Sequence, residues 1–512
     1  MRRLPILFVL TLAAACAAPK RPVVVPGPSP TERLNAADGL VRAGCFDCLV
    51  AAYREYDALR LTPAAADRAT AGAIRASALI GLRERELGMA DDGYLKIARD
   101  LVGQPGAPSQ LATMLDVVDA LPGGVLTIGR PPMSDLDLER SRQVRLNHAA
   151  WKAVLRESTD IDELAAYAYV SLMCTAIEER DTPTGEIFLA TAALRDTPLL
   201  TFRRATCRGV QPEALTALRE QDSRFVEVTA LLGAFQVGQS KLDEADTLYQ
   251  EAIDWHPQWP RVTMGIANVA MTGEEFDRAL EFYDKTIALD RGADALLGRV
   301  RALTYLGRPE DAIATTDQLL AQQWYLGDAR YWRALNEVQL DRNDQAWEDV
   351  ELADRLLVNA DVPKLAGIIA YRRQQLDVAR AKFEISHARN SSECETTFYL
   401  GIVLGDQRVW ERTAAVLGDA VRCLEGNEQG YRLEIDRIRA SDDPPVRKDR
   451  QIARREKAIA NGRRMIATSW FNTAVAYYSL SRNDDARQFA EKVVGDEQFG
   501  ERAREILSRL KD

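Results

Sequence analysis

Small residues recur along the C-terminal half of this chain in register with apolar and aromatic positions. From Ala245 they fall at Ala279, Ala312, Ala346 and Ala379, at intervals of 34, 33, 34 and 33, and a further 34 residues reaches Thr413. Twelve residues before each stand Gly233, Ala267, Val300, Ala334, Gly367 and Gly401, and four after each stand Tyr249, Tyr283, Thr316, Val350, Phe383 and Leu417. Ala474 and Ala486, again twelve apart, mark a seventh unit with Trp470 and Tyr477 on its first helix. A fixed period of this size describes one supersecondary unit that cannot bury its apolar face alone and does so against its neighbours. Two antiparallel helices approach closely only where small side chains meet, so Gly233 and Ala245 mark a crossing. Tyr249 is placed to fill the space beneath the next helix pair, and Pro257 to help end the second helix.

The clearest unit, Phe225 to Pro257 (FVEVTALLGAFQVGQSKLDEADTLYQEAIDWHP), resembles the tetratricopeptide repeat at Leu232-Gly233, Ala245, Tyr249, Ala252 and Pro257. The resemblance covers 225–424 and 465–512. It implies an all-α fold, an α-solenoid of antiparallel helix hairpins wound into a right-handed superhelix. Units three and four depart from the pattern, with Val300 in the small position and Arg299 and Arg333 in the place of Leu. These units are expected either to be looser or to pair their arginines across the array. Upstream, Gly81 and Gly93 are again twelve apart, and 33–60 reads as a helix pair turning at Gly44. Between 108 and 220 the pattern fades, with helices expected at 136–157, 161–179 and 212–220.

The expected layout is a signal peptide over 1–15, a Pro-rich membrane tether over 16–32 and repeat-like hairpins over 33–107. A divergent helical region over 108–220, an array of about six units over 221–424, a helical insert with a basic segment over 425–464 and a last unit over 465–512 complete it. The opening MRRLPILFVLTLAAAC has a charged start at Arg2 and Arg3, an apolar stretch from Leu4 to Leu12 and three alanines before Cys16. That order is a secretory signal, and the apolar run is too short to span a bilayer. The Cys resembles that of a lipobox, although Ala13 stands where Leu is usual. The resemblance implies acylation of Cys16 and, with Ala17 rather than Asp following, an outer-membrane lipoprotein facing the periplasm. Pro19 to Pro30 would act as a semi-rigid spacer of roughly 40 Å, at about 3.1 Å per residue.

Charge and chemistry narrow the function. The formal net charge is −10, which disfavours nucleic acid because phosphate neutralisation needs Lys and Arg. His148, His256 and His387 are isolated from one another and from Cys at zinc-like spacings, so no metal site is expected. No GxxxxGK[ST], HExxH or GxSxG string occurs, and neither a catalytic residue nor a cofactor is expected. Export permits disulfides. Antiparallel packing of one unit brings Cys394 and Cys423 together, which leaves Cys174 with Cys207. Cys45 and Cys48 form a CxxC at a helix start, read as a local structural bond because a thioredoxin-like βαβ context is missing. Residues 447–464 carry eight basic and two acidic side chains. Contact with anionic lipid or an acidic partner is one reading; a solvated extension of the last hairpin is preferred.

Tetratricopeptide arrays present the first helix of each unit on a concave surface. By that resemblance the groove holds Asn268, Arg301, Tyr305, Tyr331, Tyr371, Arg372, Phe398, Phe471 and Tyr478. Aromatic and Arg side chains of this kind suit capture of a peptide or protein. The expectation is a non-enzymatic adaptor or scaffold of the cell envelope, membrane-bound through its lipid. The alternative is a substrate-capturing lipoprotein similar to the SusD-like family, which serves an outer-membrane importer. That family inserts long aromatic-rich loops, whereas aromatics here are 7% of residues.

Overall fold

The computed structural model describes residues 27–104, 107–121, 135–157, 162–175, 196–207, 209–290, 292–323 and 326–510. Cys16, the signal segment and most of the tether lie outside them, as do 161 and 176–179 of one expected helix. Among the described residues there are 24 α-helices and no strand. The chain is an all-α solenoid of antiparallel hairpins, each packed on the next.

Units one to five pair Val228–Gly238 with Leu242–Trp255, Pro260–Thr272 with Phe276–Leu289, Ala293–Tyr305 with Pro309–Gln322, Gly327–Gln339 with Asn343–Leu356, and Asp361–Arg372 with Leu376–Arg389. Between the two helices of every unit one residue adopts the left-handed conformation, with φ of 57–69°: Ser240, Glu274, Gly307, Asp341, Gln374, Arg408 and Ser481. This lets the next N–H reach back over the helix end, as Lys241 N–H does to the Gln236 carbonyl at 3.0 Å and Gln375 N–H to Ala370 at 2.9 Å. Such a cap satisfies carbonyls the helix leaves free. Only unit three uses glycine there.

Successive units lock through rings seated on bare backbone. A Cβ on Gly265 would come within 2.4 Å of the Tyr249 ring, and one on Gly298 within 2.3 Å of Tyr283. Tyr249 also rests at contact distance on Gly233 of its own unit, so one ring joins three helices. The arginines in the Leu place pair across hairpins, Arg299 with Asp284 at 2.7 Å and Arg333 with Asp317 at 2.7 Å, and Arg333 also pairs with Asp349 of its own hairpin. That pairing is the second of the two expected outcomes for units three and four.

The N-terminal part is joined differently. Helices Pro30–Ala43 and Phe46–Leu59 turn at Gly44 (φ 72°) and pack on Ala66–Leu87. Arg83, wholly buried on the last of these, meets Glu227 at 3.0 Å, donates to the Gly44 carbonyl at 3.2 Å and lies 3.6 Å over the Phe202 ring. Glu86 takes the Tyr167 hydroxyl and Arg203 at 3.0 Å. Burial pushes the Glu227 carboxyl up to about 7 against the pull of Arg83. The network therefore ties helices Glu163–Thr175 and Pro198–Ala205 to the first hairpins and to the array's start. Trp259 seals the join, its indole N–H donating to the Leu87 carbonyl at 2.9 Å.

Disulfides join Cys45 to Cys48, Cys174 to Cys207 and Cys394 to Cys423. Unit six starts with Cys394–Asp406, but its second helix, Trp410–Ala440, runs for 31 residues. The chain returns along Pro445–Ser479, 35 residues, whose last part is the first helix of unit seven. Helices of units one to five have 11–14 residues. The 425–464 insert is thus a helical hairpin continuous with the helices of units six and seven. Asn483–Glu491 and Gly500–Arg509 close the C-terminal end.

Two substitutions test this account. Gly265→Ala must displace the Tyr249 ring and is expected to cost about 1–3 kcal/mol, with part recovered by adding Tyr249→Leu; an unchanged urea midpoint in the single variant refutes the seat. Gln374→Gly relieves left-handed strain and is expected to raise stability by about 0.5–1 kcal/mol, whereas Gln374→Val lowers it.

Candidate functional site

Side chains on three successive units form a continuous aromatic strip. Phe276 opens the second helix of unit two and Tyr305 ends the first helix of unit three; their rings stack with centroids 4.8 Å apart. Tyr305 meets the edge of Trp332 at 6.0 Å, and Trp332 meets Tyr331 at 5.7 Å, both from the first helix of unit four. The helix ends put these rings together because each unit repeats the last with a small rotation. Tyr305 remains 46% exposed. Two guanidinium groups cap the strip: Arg301 lies 5.7 Å from the Trp332 ring, and Arg454 lies 5.0 Å from Tyr305 and 5.4 Å from Phe276. A cation over an aromatic face is attracted by the ring quadrupole, more so where water is excluded.

The other expected groove residues divide into four kinds. Tyr371 and Arg372 bind neighbouring units, the phenol donating to Asp406 at 2.8 Å and the guanidinium to the Val338 carbonyl at 2.8 Å. Burial pushes the Tyr331 and Tyr371 hydroxyls up to about 12. Asn268 accepts from the Tyr283 hydroxyl at 2.9 Å, so it holds the filler ring of its own unit. Tyr478 is 37% exposed.

Phe398 and Phe471 are corrections to the sequence reading. Phe398 is 7% exposed and packs with Leu417 and Ala420; Phe471 is 3% exposed and stacks on Phe499 at 4.9 Å. Both occupy the position that carries Tyr331 in unit four. In unit six the lengthened helices cover that position, and in unit seven the C-terminal helix does.

Sequence reasoning missed Phe276, Trp332, Lys364 and Arg454. Lys364 shares its register with Tyr331 and could have been found; it sits among Glu395 at 3.4 Å, Asp361 at 3.6 Å and Glu393 at 3.7 Å. Burial pulls its ammonium down, and the three carboxylates outweigh that, leaving it raised. Arg454 falls in the basic run singled out above, but nothing local ties it to the strip, because Tyr305 lies 149 residues before it.

The basic segment is also corrected. It extends the hairpin, but its arginines are not simply solvated. Arg447 binds Asp243 at 2.6 Å and Glu275 at 3.3 Å, Arg450 binds Glu275 at 3.3 Å, and Glu274 takes Arg455 at 2.6 Å and Arg454 at 3.4 Å. The far end of the hairpin therefore rests on units one to three. Among the described residues no group of three His, Cys, Asp or Glu is placed to hold a metal.

Comparison with known proteins gives a tetratricopeptide repeat family model that matches residues 236–294. The hairpins within that stretch, units one and two, accordingly match the tetratricopeptide type. No curated protein matches the chain. Among solved structures the chain is similar to YrrB, described as a TPR protein with an unusual peptide-binding site, at 15% identity over 36% of this chain and 96% of that one, with a TM-score of 0.32. It is similar to a tetratricopeptide repeat protein from Parabacteroides merdae ATCC 43184 at 14% identity, over 56% of this chain and 99% of that one, with a TM-score of 0.33. The APC/C hetero-tetramer Cut9-Hcn1 aligns at 13% identity over 94% of this chain and 90% of that one, with a TM-score of 0.42.

The burial difference has a direct readout. Phe398→Ala is expected to cost about 3–5 kcal/mol as a core truncation, and Tyr305→Ala less than about 1 kcal/mol. Chemical denaturation of both variants checks this, and equal losses would place Tyr305 in the core.

Proposed function

We propose that this protein is a non-enzymatic adaptor of the cell envelope, tethered by a lipid on Cys16 and holding a peptide or protein partner on the first-helix face of its repeats. The observation that carries the reading is the strip of rings on consecutive units, open at Tyr305 and flanked by arginines. Large rings with few torsions contribute contact area at small entropic cost, and Arg adds directional hydrogen bonds. Repeat hairpins of the tetratricopeptide type bind protein or peptide partners, which supports the same class. Three disulfides fit an oxidising compartment, and so an exported protein. No helix among the described residues is long and apolar enough to cross a membrane. The 425–464 insertion is helical and has Tyr431 as its one aromatic residue, unlike the aromatic-rich loops of the SusD-like family.

Fractionation and cross-linking test the two halves of the reading. The intact chain is expected in the membrane fraction and the Cys16→Ser variant in the soluble fraction; membrane recovery of both removes the lipid anchor. A partner cross-linked by the intact protein and lost from a Tyr331→Ala, Tyr478→Ala variant of unchanged helicity supports the adaptor. Equal recovery moves the binding surface off the first helices.

A further inference from the structure

The hairpin and the patch beneath its tip have a relationship that the adaptor reading alone does not require. Asp243, Glu274, Glu275, Phe276 and Tyr305 lie at the interhelix turns of units one, two and three. They combine three carboxylates with two stacked rings 4.8 Å apart. Onto this surface the return helix of the hairpin lowers Arg447, Arg450, Arg454 and Arg455. Each guanidinium has a carboxylate within 2.6–3.4 Å, and Arg454 also lies over both rings. A planar cation that can pair with an acid on its edge and stack on an aromatic face is arginine rather than lysine.

The hairpin is held unequally along its length. At its base Leu424 and Ile466 are buried with Cys394, which is bonded to Cys423. Beyond that, residues 425–464 bury only Ile435 and Arg447, while Leu433 is 60% and Val446 68% exposed. A permanent strut would be expected to bury apolar side chains at its far end. Instead the far end is held by ion pairs, of which those of the half-exposed Arg450 and Arg454 contribute little individually and weaken with salt, while Arg447 alone of the four is buried. Gly426 and Gly430 on the outgoing helix face open space, and Gly462 on the return helix has its nearest neighbour at 3.9 Å. Glycine weakens a helix interior, and no close approach requires it at these positions. The Glu428–Arg463 pair at 2.6 Å shows that the three glycines lie at one level, just past the pinned base. A fixed base, a glycine level and an ionic tip make a latch.

We propose that residues 425–464 are a displaceable latch whose arginines act as an internal ligand, and that the patch beneath is the docking site for an arginine-bearing segment of a partner. This deepens the adaptor reading by naming the chemistry of the partner. A tethered occupant competes at high effective concentration, so the closed protein binds such a segment weakly and the opened one strongly.

The test uses the full chain, spin-labelled at Asp277→Cys and Lys457→Cys with the native disulfides intact, and a labelled peptide of residues 443–458 as probe. In the otherwise unaltered protein the label distance is expected to be short and narrow at low salt. Arg447→Glu, Arg454→Glu and Arg455→Glu together should lengthen and broaden it. This opened protein should bind the peptide at least tenfold more tightly than the closed one, and Glu274→Lys with Glu275→Lys in the same background should abolish that gain. Substituting Lys for every Arg of the peptide should weaken binding severalfold. Reversed charges on both sides should restore the short distance, which separates loss of the latch from loss of folding. An unchanged distance in the triple variant would make the hairpin a fixed strut and overturn the proposal, as would failure of the opened protein to bind the peptide. None of these readouts depends on the lipid anchor or on an envelope partner, so the adaptor reading can fail without them.

Discussion

The array depends on one steric arrangement, an aromatic ring on a second helix lying flat on backbone that has no Cβ. Tyr249 between Gly233 and Gly265, and Tyr283 beneath Gly298, set how near one hairpin comes to the next. Since stacking repeats contact mainly their neighbours, that local distance propagates along the solenoid. In unit four Trp332 stands in the register of Gly265 and Gly298, and Arg333 reaches back to Asp317 of unit three while also holding Asp349 of its own unit. The strip of rings from Phe276 to Tyr331 exists because the spacing between units is this regular.

Much of this was legible in the chain. The period gave the helix pairs of 225–424, because small residues at a crossing and a large one four positions later leave a trace that substitution blurs slowly. Other parts had no such trace. The N-terminal region is bound by Arg83, Glu86, Glu227 and Tyr167, residues up to 144 positions apart whose pairing follows no period. Such a buried network needs every member satisfied, and a sequence shows the members without their partnership. Phe398 and Phe471 share the register of Tyr331, yet what covers them comes from elsewhere: lengthened helices in one case and Phe499 in the other. Register identifies a face of a helix, and the neighbours decide whether that face meets water.

Charge was the least readable quantity. Summed over the chain it is −10, which describes solubility and little else. Its arrangement matters more. A run of eight basic side chains in 447–464 looks like an exposed polyelectrolyte in one dimension, and in three, four of its arginines lie against carboxylates from the opposite end of the array. The hairpin that delivers it interrupts the repeat between units six and seven without disturbing either, because its two long helices are continuous with theirs.

The order of the disulfides has a consequence for how the protein is made. The six cysteines after Cys16 allow 15 pairings, but here each bonds to the next in the chain: Cys45 with Cys48, Cys174 with Cys207, Cys394 with Cys423. A chain emerging from its N-terminus into an oxidant can therefore close every bond with the first thiol that follows. On the proposed route of export, the earliest product is then the native one, reached without reshuffling mistaken links.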